Sequence, residues 1–448
     1  MGVRGPKAKH EVSTGPISIT LTRPPMADYQ TKVLDSQHKY IIMACATKTG
    51  KSICLAQKAL EVIINGGRVI WIASTFKRSG MVFDQITKAV QEVVNVSKVT
   101  INRTTMCLDM AATNGSLAAY SGDSQLACES AMGDAANLVV IDEASRCHES
   151  AWTVANSVTT ATGGQVCVAL NVDKSPKVSW AVRMFAEHLN NSKPDPDFLV
   201  LSLTAEQSPY IKKVDLERAR KTTPARIFNA LYNNIIPKDD EHGVFNNFEG
   251  CISGQLEEPK PGRRYVIGCD PARSFDYTVL AVVDTVTRRL VGFERYHGIS
   301  WQAITQRILD CASKWNKALV VLDSTAQATL LLEVLQRHSI FVEPFYFTSK
   351  SKPQLVEKMM VDIEQRNISF PNISELIYEM QHYSVNIQPN GYLKYCADDG
   401  FHDDCITALM LANWKLKTGP RFDPLTFRAQ YAVGHTVFGN DRDALTVM

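Results

Sequence analysis

From residue 39 onward, short uninterrupted apolar runs alternate with stretches in which apolar residues return every three or four positions. The runs "KYIIMAC", "RVIWIAS", "NLVVIDEA" and "GQVCVALN" have the length and composition of buried strands. Between them the spacing predicts helices over 51–65, 79–95 and from about 149, with two short β-like runs, "TMCLDM" and "SLAAYSG". Strands that alternate with helices in this way imply a parallel sheet. The pattern changes from 173: "SKPDPD" reads as a loop, "PYIKKVDLERARKTTPARIFNALYNN" as a basic helical stretch, and "PKDDEHG" as a turn.

A second series opens at "RRYVIGCD". "DYTVLAVVD" and "RRLVGFERYHG" follow at short spacing, as in an antiparallel meander. Helices over 300–315, 326–337 and 352–365 then alternate with "ALVVLD" and "IFVEPF". "IQPNGYLKY" reads as a hairpin turning at Asn390-Gly391, and a helix over 403–416 closes the domain. No internal repeat or low-complexity tract is present.

Composition narrows this picture only slightly. The 448 residues are 45% apolar and 21% charged, which is ordinary for a globular chain of two or three domains. A net charge of +2 announces no global field for nucleic acid, so any such site must be a local basic patch. Eleven cysteines without a Cys-x-x-Cys pair indicate reduced thiols rather than a disulfide framework. No apolar run reaches the length of a membrane span, and "MGVRGPKAKH" has the character of a flexible arm, with no apolar core of a secretory signal.

Candidate chemistry begins at "ACATKTGKS". A Gly-Lys-Ser/Thr triplet arises by chance about 0.2 times in a chain this long, so context must decide. A phosphate loop needs a strand, a tight turn and a helix N-terminus, and "YIIMAC" and "KSICLAQKALEVI" supply both flanks. In the loop Thr47-Lys48-Thr49-Gly50-Lys51-Ser52, Gly50 allows close backbone approach, Lys51 suits the β- and γ-phosphates of ATP, and Ser52 suits Mg²⁺. Cys45 stands where the usual pattern has its first glycine. Ninety residues on, Asp142 ends an apolar strand as a second Mg²⁺ partner, and Glu143 follows as the group to orient or deprotonate water. Asn171 ends the next strand, where it could sense a γ-phosphate. Upstream, Tyr29 could stack on adenine and Gln30 could bond its edge.

The second half carries a second set of acids. Asp270 and Asp323 end strands, Asp276 opens one, and Asp403 and Asp404 start the last helix, beside His402. Each acid alone suits a turn or a helix start. Together, on a five-stranded mixed sheet, they converge on one rim in a ribonuclease H-like arrangement. Such carboxylates repel one another unless cations neutralise them, and an all-oxygen set suits Mg²⁺ or Mn²⁺ for phosphodiester hydrolysis.

A P-loop ATPase of the ASCE type followed by a ribonuclease H-like nuclease resembles the large terminase subunits of tailed double-stranded DNA viruses. The resemblance covers about residues 25–415 and rests on "CATKTGKS", "LVVIDEA", "GCDPARSFDYTVLAVVD", "VVLDSTAQ", "SKSKPQLVEKMMVDIEQRNISFP" and "GFHDDCITALMLAN". It implies an arm over 1–24, an ATPase domain over 25–210, a linker or subdomain over 211–250, a nuclease domain over 251–418 and a tail over 419–448. Carried over, Lys51 and Ser52 bind phosphate and Mg²⁺, Asp142 is the Walker B acid, and Glu143 is the catalytic acid. Asn171 falls near the coupling motif. Asp270, Asp323 and Asp404 are the main nuclease ligands, with Asp276 and Asp403 in support. Two departures stand out. Thr47, with Lys48 beside it, replaces an arginine common in relatives, and Met132-Gly133 stands where relatives often have an arginine that acts in a neighbouring subunit; Arg103 or Arg146 could serve instead of the latter, and nothing in the sequence selects one.

The implied function is a genome-packaging motor in the host cytoplasm. Its implied partners are double-stranded DNA, a small terminase subunit, and the portal of a procapsid on which copies form a ring. A helicase–nuclease or transposition enzyme would need helicase motifs beyond Walker B or a target-DNA domain, and neither is found. A non-enzymatic scaffold with degenerate sites conflicts with the full set of acids. Candidate backbone contacts to DNA are Lys350 and Lys352, and secondarily Lys212, Lys213, Arg218, Arg220 and Lys221.

Overall fold

A computed structural model describes residues 23–93, 99–133, 135–172, 179–189, 191, 193, 195–237, 243–272, 276–325, 328–338, 340–387 and 393–416. The arm up to residue 22, the turn residues 238–242, the Asn390-Gly391 turn and the tail from 419 lie outside the described residues. Among the described residues, contacts divide the chain into two compact units. The first holds the residues up to 212 together with 231–235, and the second holds 213–230 and those from 236 onward.

The first unit contains α1 (Asp28–Asp35), β1 (Tyr40–Cys45), α2 (Lys51–Ile64), β2 (Arg68–Ala73), α3 (Phe76–Val93), β3 (Val99–Asn102), β4 (Cys107–Met110) and β5 (Gly115–Ser121). It continues with α4 (Gln125–Glu129), β6 (Leu138–Asp142), α5 (Ser150–Thr159), β7 (Gln165–Leu170), α6 (Trp180–Leu189) and β8 (Phe198–Leu203). The eight strands lie in the order β3-β4-β5-β2-β6-β7-β1-β8, and β5 through β8 run parallel. The central strands read as unbroken apolar runs because helices bury both faces. Ile41, Met43, Val69, Trp71, Leu138 and Val140 are fully buried. One strand, β7, separates β1, which leads into the glycine loop, from β6, which ends in Asp142.

Helix α3 starts at Phe76, three residues before the spacing predicts. The short β3, α4, α6 and β8 were not expected. A four-residue strand and a five-residue helix are too short to establish a period. Strand β8 closes the sheet beside β1, in a stretch where the sequence offers mainly loop residues upstream.

The basic stretch becomes two helices, α7 (Lys213–Thr222) and α8 (Ala225–Asn233), because Pro224 disfavours helical backbone at the residue before it. The second unit then runs β9 (Tyr265–Asp270), β10 (Tyr277–Asp284), β11 (Leu290–His297), α9 (Trp301–Lys314), β12 (Leu319–Asp323), α10 (Ala328–Gln336) and β13 (Val342–Phe345). It ends with α11 (Ser351–Glu364), α12 (Ser374–Gln381), β14 (Tyr383–Ile387), β15 (Leu393–Ala397) and α13 (Asp404–Trp414). Its sheet order is β11-β10-β9-β12-β13, with an antiparallel meander followed by two parallel strands, as expected for a ribonuclease H-like fold. Alternate residues serve two cores. Val266, Val279 and Val321 pack with α11 and α13, while Ile267, Leu280 and Val320 pack with α9 and α10.

Helix α13 is buried on every side, from Asp404 through Asn413. Its approach to β9 is set by Gly268, where a Cβ would lie 1.9 Å from the Ala408 carbonyl oxygen and 2.5 Å from the Ala412 nitrogen. Those neighbours are backbone and cannot swing away. Gly268→Ala is therefore expected to destabilise the second unit by at least about 2 kcal/mol through overpacking. Denaturant unfolding of the full chain measures this, and a midpoint unchanged from wild type contradicts the close approach.

Candidate active sites

The loop between β1 and α2 is held from several sides. Lys48 and Gly50 take left-handed backbone, at φ 63° and 87°. The Thr49 hydroxyl donates to the Ala46 carbonyl at 2.8 Å. From α1, the Tyr29 hydroxyl donates to the Thr49 carbonyl, and Gln30 Nε2 donates to the Gly50 carbonyl at 3.2 Å. Gln30 is buried, and its Oε1 accepts from the Tyr210 hydroxyl at 2.7 Å and the Ala27 amide at 2.9 Å. Tyr29 and Gln30 thus meet the loop backbone itself. Tyr210, which sequence reasoning missed, closes against Gly50, where a Cβ would lie 3.3 Å from its ring.

Cys45 is buried, and burial pushes its thiol up to about 11, so it is a neutral core residue that leaves the loop open. Lys51 Nζ donates to the Cys45 and Ala46 carbonyls at 2.6 and 3.1 Å, and burial lowers its pKa. The Ser52 hydroxyl donates to Asp142 Oδ2 at 2.9 Å. Burial raises the Asp142 carboxyl above the usual range. Asn171 Nδ2 donates to the Cys45 carbonyl at 3.1 Å, which ties the end of β7 to the loop. Glu143, itself left-handed at φ 53°, accepts from the Ser74 hydroxyl at 2.7 Å and pairs with Arg78 at 2.6 Å. Ser74 and Arg78 follow β2 and were not singled out from the sequence; only the basic "FKRSG" after a strand end hinted at them. Thr47 and the exposed Lys48 lie in the loop, Arg103 pairs with Asp84 at 3.2 Å, and Arg146 is exposed. A lysine, a hydroxyl and a buried acid converge at a helix N-terminus, a donor set that fits a Mg²⁺-bound nucleoside triphosphate.

In the second unit, the pairing of Leu322 with Cys269 brings Asp323 and Asp270 to the ends of neighbouring parallel strands. Asp404 reaches the same rim from α13, and its Oδ2 accepts from the Tyr277 amide at 3.3 Å. Burial, then the charges of Asp404, Asp323 and Asp403, hold the Asp270 carboxyl well above its usual range. Burial raises Asp323 too, against an opposing hydrogen bond from Thr325. His402 Nδ1 lies 3.2 Å from Asp276 Oδ1 and 3.7 Å from Asp404 Oδ2, and one ligand atom from each of these three residues falls within a 4.8 Å span. Mutually repelling carboxylates, with the His402 imidazole at their edge, fit a divalent cation, and the predominance of oxygen donors favours a hard one. Behind them, Glu379 Oε2 accepts from the Cys405 and Ile406 amides at 2.7 and 3.0 Å and so fixes the first turn of α13. The sequence carried no signal for Glu379, because its role depends on two helices meeting.

The basic candidates separate. Lys350 is exposed at the start of α11, whereas Lys352 turns inward, with Nζ 3.5 Å from Asp403 Oδ2. On α7, Arg218 pairs with Asp215 at 3.0 Å, and Arg220 pairs with Glu217 at 3.7 Å and lies over the Phe228 ring.

No family model matches the chain. The large terminase subunit of Thermus virus P23-45 is 23% identical over 433 residues, which is 88% of each protein. That of Thermus phage G20c is 22% identical over 433 residues, with the same coverage. Among solved structures, a large terminase from a thermophilic bacteriophage matches with a TM-score of 0.53 at 14% identity, over 88% of this chain and 99% of that one, a likeness of fold.

The acid cluster has a pH signature. Burial pushes the Asp404 carboxyl up to about 7; Asp276, Glu379 and Asp403 add to this, and the Tyr277 amide opposes it. In the unfolded chain this group titrates near about 4. Between those values the folded state holds the proton more tightly, so the Asp404 contribution to metal-free stability falls as pH rises from about 4 to about 7. Urea unfolding in chelator at pH 5 and pH 8 should show wild type losing more stability than Asp404→Asn; parallel losses contradict the assignment.

Proposed function

We infer that this chain is a large terminase subunit, the ATPase and nuclease that packages the genome of a tailed double-stranded DNA virus. Its similarity to two large terminase subunits over most of its length, together with a fold shared with a third, accords with that function. The residue roles that follow rest on geometry. The observation that carries them is the hydrogen bond from Ser52 to Asp142, two residues ninety apart in sequence that meet where a phosphate loop needs its metal-binding pair.

At the first site, Lys51 and the loop amides from Lys48 to Ser52 cradle the phosphates of ATP, the Thr47 amide being bonded to the Leu231 carbonyl at 3.1 Å, and Ser52 and Asp142 would hold Mg²⁺. Bound there, Mg²⁺ neutralises charge on the β- and γ-phosphates. Glu143 orients and deprotonates water, with its carboxylate aimed by Ser74 and Arg78. Asn171 couples the γ-phosphate end of the site to β7. Tyr29 and Gln30 support the loop from α1 and lie at the adenine end of the site.

At the second site, Asp270, Asp323 and Asp404 hold Mg²⁺ or Mn²⁺, with Asp276, Asp403 and His402 beside them. A divalent ion there supplies an activated water and stabilises the leaving oxygen of a phosphodiester. Glu379 and the Tyr277 amide orient Asp404. This site cuts concatemeric DNA. Lys350, exposed beside it, holds the duplex backbone. The finer partners follow from the same reading: a small terminase subunit, the portal of a procapsid and further copies of the chain in a ring, all in the host cytoplasm. None of the described helices is long and apolar enough to cross a membrane.

Two substitutions separate the activities. Glu143→Gln should retain ATP binding while turnover falls by about a hundredfold or more, because the water loses its base. Asp323→Ala should abolish plasmid cleavage in Mn²⁺ and leave ATP turnover intact. Wild-type turnover in the first or wild-type cleavage in the second overturns the corresponding site.

Binding to duplex DNA should be salt-sensitive and indifferent to sequence, because a motor must hold every stretch of a genome. Lys350→Ala should weaken unrelated duplexes equally and reduce the salt slope by about one unit. An affinity loss confined to one sequence, or an unchanged slope, rules out a backbone contact.

A further inference from the structure

We propose that Lys352 is a cation of the cleavage site, countering its carboxylates and meeting the phosphate to be cut, rather than a general contact to the DNA backbone. This rests on the nuclease reading of the second site. Two observations carry it. Lys352 Nζ stands 3.5 Å from Asp403 Oδ2, with the side chain only 29% exposed. Its backbone is held in place by a reciprocal cap: Thr348 N donates to Ser351 Oγ at 2.8 Å, Ser351 N donates to Thr348 Oγ1 at 2.9 Å, and the Lys352 amide donates to the Thr348 carbonyl at 3.2 Å. The hydroxyls of "TSKSK" thus fix the first turn of α11 and aim one lysine at the acids, while Lys350, two residues earlier, is exposed.

A fixed ammonium among carboxylates has two electrostatic consequences with opposite signs. It repels divalent cations and therefore weakens metal binding. It attracts a phosphodiester and the charge that builds on its non-bridging oxygens during hydrolysis, and therefore speeds cleavage. A purely structural lysine would move metal binding and cleavage in the same direction, and a backbone contact would move DNA affinity instead. The lysine acts only by hydrogen bonding and charge and takes no part in bond making.

The test uses the full chain with Lys352→Met, which keeps length and removes charge, and Lys352→Arg, which keeps charge. Calorimetric titration with Mn²⁺ in the absence of DNA, plasmid cleavage at saturating Mn²⁺, and duplex binding in Ca²⁺ are measured side by side. Lys352→Met should bind Mn²⁺ about threefold or more tighter. It should cleave about tenfold or more slower and bind duplex DNA nearly as wild type. Lys352→Arg should recover both properties in large part. Metal affinity that is unchanged, or that falls together with cleavage, overturns the proposal, as does a loss confined to duplex affinity. If Lys352→Met does not fold, Lys352→Gln takes its place, and failure of both to fold makes the lysine structural and overturns the proposal too. A wild-type chain that neither binds Mn²⁺ nor cuts, and so matches Asp323→Ala, defeats the nuclease reading itself. Wild-type activity with an indifferent Lys352→Met defeats only this inference.

Discussion

A carboxylate at the end of a buried parallel strand is costly, and both units are organised around that cost. Asp142 ends β6, Asp270 ends β9 and Asp323 ends β12, each flanked by strands that exclude water from their apolar faces. Burial raises all three carboxyls. An isolated acid in such a place would simply take up a proton. Here each has donors or cations set against it, and the elements that bring those partners define the architecture. In the first unit, α2 brings Ser52 and Lys51. In the second, α11 brings Lys352, while α13 adds a further acid that must itself be held in place.

How tightly these partners are built differs between the units. The glycine loop is braced by α1 through Tyr29 and Gln30, by Tyr210, and by Asn171 from β7. The bracing by these residues falls almost entirely on loop carbonyls, so the amides from Lys48 to Ser52 can face an anion, while the Thr47 amide donates to the Leu231 carbonyl at 3.1 Å. Glu143 is the exception. Both of its oxygens are engaged, by Ser74 and by Arg78. Each oxygen keeps a further lone pair for a water, so Ser74 and Arg78 fix the direction in which Glu143 faces, and the residues after β2 belong to the same site as Asp142.

Much of this was legible in the sequence because strand ends and periodic helices are local signals. The loop at Gly50, the acids at 142, 270 and 323, and the closing helix with Asp404 all sit where an apolar run stops. The meander that opens the second sheet followed from the short spacing of its three strands. What stayed hidden depends on distant pieces meeting. Tyr210 touches a loop 160 residues before it, Glu379 caps a helix across a turn and a hairpin, and Arg78 meets Glu143 because β2 and β6 are neighbours. Lys350 and Lys352 look alike in sequence, and only the cap at Thr348 and Ser351 sends one outward and the other to the acids. The shortest elements, β3 and α4, carry too few residues to show a period at all.

The balance of charge at each site explains why the two chemistries depend on different ligands. At the first, Asp142 and Glu143 face Lys51 and Arg78, so the site is nearly neutral and can form as it stands. Adding a triphosphate brings in excess negative charge, which the loop amides and Mg²⁺ must take up together; nucleotide and metal are thus required as a pair. At the second, Asp270, Asp276, Asp323, Asp403 and Asp404 face one inward lysine and the His402 ring. Burial, and after it that excess, raises the Asp270 carboxyl, and a divalent ion would offset both. On the proposed reading, the second site therefore needs its metal before DNA arrives, whereas the loop of the first site is formed in advance of its ligand.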